Sequence, residues 1–96
     1  MSQIRFEWDS RKAASNEKKH GVSFEEAQSV FFDEQALLLE DPQPRHEEER
    51  FVLLGLSASL RLLVVVHALR ERDVIRIISA RKATRKETRE YEIRLR

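Results

Sequence analysis

The chain has 96 residues, 41% of them hydrophobic and 36% charged, which fits one domain over residues 1–96 with a modest core and argues against disorder. It contains no cysteine, which excludes a disulfide framework and a thiolate metal site and fits a reducing cytoplasm. The net charge of +1 hides a division: residues 1–50 hold 7 Lys and Arg against 12 Asp and Glu, a net of −5, and residues 51–96 hold 11 against 5, a net of +6. The second half is therefore a candidate for a polyanion or an acidic partner, unless the two halves pack together and cancel.

The opening MSQIRFEWD has no apolar h-region, so a signal peptide is not expected. Ile4 to Trp8 alternates and reads as a short strand. Asp9 or Ser10 can cap a polar helix that runs through RKAASNEKKH and stops at Gly21, with Lys18, Lys19 and His20 favourably placed in its last turn. Ser23 and Glu26 form a capping box for a second helix, which carries Phe24, Ala27, Val30 and Phe31 on one face and ends near Asp33. Together the two predict a helical hairpin.

The period then becomes strand-like. Ala36 to Leu39 reads as a strand, and residues 41–49 (DPQPRHEEE) as a polar loop that two prolines keep irregular. Arg50 to Leu56 is the next strand, Ser57 to Arg61 a turn, Leu62 to Leu69 a strong strand, Arg70 to Asp73 a charged turn and Val74 to Ala80 the last strand. The longest apolar run, Leu62 to Val66, is too short to span a membrane. Short connections predict antiparallel pairing. Thr84 and Glu87 form a second capping box, and Glu90–Arg94 and Glu92–Arg96 are favourable i,i+4 pairs. The apolar stripe of this helix (Thr84, Thr88, Tyr91, Leu95) is thin, so it is expected to be a contact or regulatory element and not part of the core. The expected class is α+β: an antiparallel β-sheet with an N-terminal helical hairpin packed on one face and a C-terminal helix.

Four arginines, Arg50, Arg70, Arg76 and Arg81, lie in or at the ends of predicted strands. Neighbouring strands could gather several of them, and clustered guanidinium forks match phosphate oxygens. The plainer reading pairs each with Glu47 to Glu49, Glu71 or Asp73 at the surface. His67 sits inside an apolar strand, where it is either structural or, near arginines, able to move a proton. Glu71 is a candidate base, whereas Glu87 is explained by its capping box. The scattered histidines His20, His46 and His67 give no metal signature, and with only Gly21 and Gly55 there is no glycine-rich phosphate loop. No metal or other cofactor is expected.

FEWD (6–9), KHGVSFEEA (19–27), VFFDEQALLLED (30–41), EERFVLLGLS (48–57), LLVVVHALRE (62–71) and IRIISARKATRKE (75–87) together resemble the BrnT family of bacterial type II toxin–antitoxin ribonuclease toxins. The resemblance implies a compact RelE-like toxin fold and RNA cleavage that halts translation. It also implies a ribbon-helix-helix, BrnA-like antitoxin through which the complex binds and represses its own operator DNA. The family motifs carry over onto His20, Arg50, His67, Arg70, Arg76 and Arg81. In many relatives a Thr and a Glu or aromatic residue precede the arginine matching Arg70; this chain has Ala68 and Leu69 there, which removes a possible carboxylate.

On this reading the chain is a metal-independent endoribonuclease. Arg50, Arg70 and Arg81 would hold the charge of a phosphorane-like transition state, with Arg76 a second cation or an ion-pair partner. His67 or Glu71 would handle a proton, and Lys18, Lys19, His20, Lys82 and Arg85 would contact the RNA. A second reading is a non-catalytic interaction module that acts as co-repressor with a DNA-binding partner. Direct DNA binding is third, because the positive half is mainly sheet and has no helix-turn-helix signature.

Overall fold

The structure is a computed structural model that describes residues 3–41 and 49–95. The expected proline loop falls largely on residues 42–48, and the Glu92–Arg96 pair ends on residue 96; both lie outside the described residues.

Strand β1 (Arg5–Glu7) is followed by helix α1 (Ser10–His20), helix α2 (Phe24–Ser29) and a single 3-10 turn over Val30–Phe32. Four strands come next: β2 (Leu37–Leu39), β3 (Phe51–Leu56), β4 (Leu62–Glu71) and β5 (Val74–Lys82). Helix α3 (Arg85–Arg94) ends the chain. Asp9 caps α1 by accepting from the N–H groups of Arg11 and Lys12 at 2.8 and 3.1 Å, and Gly21 ends it in the left-handed region at φ 69°. Ser23 caps α2 and Thr84 caps α3 through a full capping box with Glu87.

The strands form one sheet in the order β1-β5-β4-β3-β2. Pairing is antiparallel from β2 to β5, as expected, but β1 lies parallel to β5, so the sheet is mixed. The two helices supply the long crossover that a parallel pair needs. β4 runs on to Glu71 and β5 to Lys82, so Arg70 and Glu71 belong to a strand and the turn between β4 and β5 is only Arg72 and Asp73.

Two apolar layers sandwich the sheet. On the helical side, Val22, Phe24, Ala27 and Val30 pack on Leu63, Val65, Ile77 and Ala80. Asn16 fastens this layer: its amide donates to the carbonyls of Ala80 (2.8 Å) and Val22 (3.0 Å), and its oxygen accepts from Ala80 N–H (3.1 Å). It thereby stands in for a neighbouring strand beyond the point where β1 ends. At Gly55 an added Cβ would sit 2.8 Å from Val30 Cγ1, so the close approach of the 3-10 turn to β3 requires glycine there.

On the other side, Val52, Leu54 and Val64 form a second core with Tyr91 of α3, which is only 6% exposed. Tyr91 donates to Asp33 Oδ2 at 2.6 Å. The C-terminal helix is therefore docked on the sheet, contrary to the expectation from its thin stripe. A single buried aromatic with a hydrogen-bonded tip attaches it, where the stripe suggested no core contact.

Candidate functional site

Register decides which charged side chains share a face. Arg76 pairs with Ala68 and Arg81 with Val64, and Ala68 and Val64 are four residues apart on β4 and so point the same way. Five residues separate the two arginines, which would put them on opposite faces of a regular strand. The register shift at Val66/His67 leaves Ile78 unpaired and brings them back to one face, the side on which α3 docks. A second shift, between Leu69 and Glu71, leaves Arg70 as the extra residue of β4.

Glu7 pairs with Arg76 in the β1–β5 register and so lies on the same face. Its Oε2 is 3.2 Å from Arg76 Nη1 and 3.8 Å from Arg70 Nε. The bulge thus lets Arg70 reach across β5 towards β1. Arg50 immediately precedes β3, one residue before the Phe51–His67 pair, so the continued register sets it beside Ala68, in the same row as Arg76 and Glu7. Two strand spacings, about 10 Å, separate Arg50 from Arg76 along such a row. The Arg50 Nε is buried and, among the described residues, has no hydrogen-bond partner, an uncommon state for a guanidinium donor. Beyond this row the floor is apolar: Val52 and Val66, then Leu54 and Val64, with Leu37, Leu39 and Val66 only half buried.

Arg81 closes the other end of the floor and is already engaged. It makes a two-pronged ion pair with Glu87, Nη1 to Oε1 at 2.8 Å and Nη2 to Oε2 at 2.9 Å, and Glu87 also accepts from the Thr84 N–H. The Arg81 guanidinium, with help from the Thr84 N–H, outweighs the burial that opposes ionisation and holds Glu87 at about 2. Arg81 is thus part of the α3 cap as well as of the face.

The remaining sequence candidates are dispersed. His67 points to the helical side, against Phe31 (ring centroids 4.7 Å, edge-on) and stacked on Phe51 (5.9 Å). Burial pushes its imidazole below the ordinary value, and it does not meet the arginines. Glu71 pairs with Val74 at the strand end and, with Glu7, Leu69, Arg70 and Val74, lines a cavity of about 270 Å³. Lys18, Lys19 and His20 end α1 on the helical side, and Lys82, opposite Leu63, faces that side too. Arg85, the first residue of α3, flanks a small groove with Arg89. Glu7 was missed in the sequence because a Glu in an alternating strand reads as a solvated position, and only the parallel pairing with β5 gives it arginine neighbours. Among the described residues no three His, Asp or Glu side chains converge as metal ligands, and no helix is long and apolar enough to cross a membrane.

A family model described as "Ribonuclease toxin, BrnT, of type II toxin-antitoxin system" matches residues 8–87. Comparison with curated proteins found no match. The fold is similar to that of the Brucella abortus ribonuclease toxin BrnT, known from a 1.1 Å crystal structure, with a TM-score of 0.67 and 20% identity. The superposition covers 86% of this chain and 100% of the Brucella one.

Proposed function

The chain belongs to the BrnT family of type II toxin–antitoxin ribonuclease toxins, and from that premise we propose that it is a metal-independent endoribonuclease with a RelE-like fold that cleaves RNA on the arginine-lined face of its sheet. Cleavage would inhibit translation in the cytoplasm. A ribbon-helix-helix, BrnA-like antitoxin would neutralise the toxin and would supply the only contact of the pair with operator DNA.

The observation that carries this reading is the gathering of Arg50, Arg70 and Arg76 at one end of one sheet face by two β-bulges and a parallel edge strand. Attack of an RNA 2′-hydroxyl on the adjacent phosphate builds negative charge on the non-bridging oxygens. Preorganised guanidinium donors stabilise that charge more than they stabilise the ground state. Among the described residues no group accepts from the Arg50 Nε. The half-buried side chains of Leu37, Leu39 and Val66 on this face offer an apolar surface on which an unstacked base can lie. Arg81 belongs to the proposed face through its guanidinium edge, and its pair with Glu87 fixes its direction. His67 is assigned to packing.

The test is labelled RNA incubated with purified protein in EDTA. Cleavage should persist, and Arg50→Ala and Arg76→Ala should each reduce it by about 10²–10³-fold, the usual loss for one transition-state donor. Loss of cleavage in EDTA would refute the metal-free mechanism, and unimpaired cleavage by both variants would refute the site.

A further inference from the structure

The arginine face stabilises charge, but transfer of the 2′-hydroxyl proton needs an acceptor within hydrogen-bond reach. His67 lies on the opposite face of the sheet, and both oxygens of Glu87 are held by Arg81. We propose that Glu7 accepts that proton, an assignment that rests on the endoribonuclease reading and adds a catalytic residue to it.

Three features support Glu7. It shares the row of Arg76 and Arg50, so a phosphate held by those arginines lies beside its carboxylate. Its contacts to Arg76 and Arg70 both fall on Oε2, and among the described residues no hydrogen bond falls on Oε1. The side chain is 43% exposed and rims the cavity of about 270 Å³ beside the β4–β5 turn, so a ribose can approach it.

The step balances. Glu7 Oε1 takes the 2′-hydroxyl proton while the O2′ electron pair forms a bond to the adjacent phosphorus. The P–O5′ bond breaks with its electrons on O5′, which takes a proton from water. The hydroxide left behind removes the proton from Glu7 and restores the carboxylate. The products are a 2′,3′-cyclic phosphate and a 5′-hydroxyl, and no co-reactant is consumed.

Glu7→Gln separates catalysis from positioning. It should cleave a labelled RNA about 10²–10⁴-fold more slowly, the span of general-base contributions. It should bind the same RNA at least as tightly, because it removes a negative charge from an anion site. The acid limb of the wild-type rate–pH profile should vanish in Glu7→Gln and persist in Glu7→Asp, which keeps a carboxylate and also serves should the Gln variant fail to fold. Two results would overturn the assignment: cleavage by Glu7→Gln at nearly the wild-type rate, or a loss of rate matched by an equal loss of RNA affinity. A Glu7→Asp protein without the acid limb would do the same. Undiminished cleavage of RNA carrying a 2′-deoxy residue at the scissile position would also overturn it, because no 2′-hydroxyl proton would then be transferred, whereas failure of the wild type to cleave would instead remove the endoribonuclease reading itself.

Discussion

Single residues here owe their roles to what lies beside them in the sheet. Asn16 is a polar residue on a polar helix, yet it is only 7% exposed and makes three hydrogen bonds, two of them to the backbone of Ala80. Asn16→Ala leaves buried backbone groups unpaired and should cost about 2–4 kcal/mol, read as a lower urea midpoint with an unchanged m-value. Leu60 shows the opposite economy. It sits in the left-handed region at φ 62° and is 77% exposed, so it has backbone strain and little burial to offset it. Leu60→Gly should therefore be neutral or stabilise by up to about 1 kcal/mol, with thermal melting as the check. His67 gives a pH signature. Burial lowers its folded value below the ordinary 6.5, so the unfolded chain binds the proton more readily. The stability contributed by keeping this ring neutral is present above pH 6.5 and is lost as pH falls through that value. Urea midpoints should decline on acidification below pH 6.5, and His67→Phe should flatten that decline while leaving the further loss below about pH 4.5, where the unfolded chain begins to take up protons at Glu26, Asp33 and Glu87 that the folded carboxylates resist. A decline between pH 6.5 and 5 that survives in His67→Phe would show that another group is responsible.

At the level of elements, α3 is held by one residue more than by its surface. Burial and then the hydrogen bond to Asp33 push the Tyr91 hydroxyl up to about 12. Partial burial opposes ionisation of Asp33 as well, but the donors Tyr91, Leu56 N–H and Gln35 N–H keep its carboxyl below the ordinary value. Tyr91→Phe removes a bond to a charged acceptor and keeps the ring, so it should cost about 1.5–3 kcal/mol. It should also remove the extra loss of stability that the wild type shows as pH rises from 10 towards 12, which denaturation at pH 8 and pH 11 would reveal. Most elements were legible in the chain because their signals are local: capping residues at Asp9, Ser23 and Thr84, Gly21 as a stop, and alternation through β3 and β4. The failures have one physical cause, which is that they depend on partners distant in sequence. Nothing in Arg5–Glu7 says that it will lie parallel to β5. The charged RERD reads as a turn because the pairing of Glu71 with Val74 cannot be seen locally. Tyr91 cannot be recognised as buried without Asp33, 58 residues away. The site followed the same rule. The arginines were visible as residue types at strand ends, whereas their common face depends on two bulges and Glu7 on a parallel edge.

Over the whole molecule the charge division resolves into contacts between the halves. Glu26 pairs with Arg61, and Glu7 with Arg76 and Arg70, so part of the −5 of residues 1–50 cancels part of the +6 of residues 51–96 within the fold. On the proposed endoribonuclease reading, a net charge of only +1 makes long-range attraction to RNA weak, so affinity must come from a local group of cations. That makes the salt dependence of binding a measure of geometry. Each phosphate neutralised on a single strand contributes about −0.7 to the slope of log affinity against log salt. An RNA that follows the open face and meets Arg50, Arg70, Arg76 and one residue of α3 should show a slope of about −3. Arg50→Ala should make that slope shallower by about 0.7. Lys18→Ala and Lys82→Ala should leave it unchanged, because those side chains belong to the helical side of the sheet. Fluorescence anisotropy with a labelled single strand, titrated at several salt concentrations, reads all of these. A shallower slope in the lysine variants, with Arg50→Ala unaffected, would place the RNA on the helical layer and away from the arginine row.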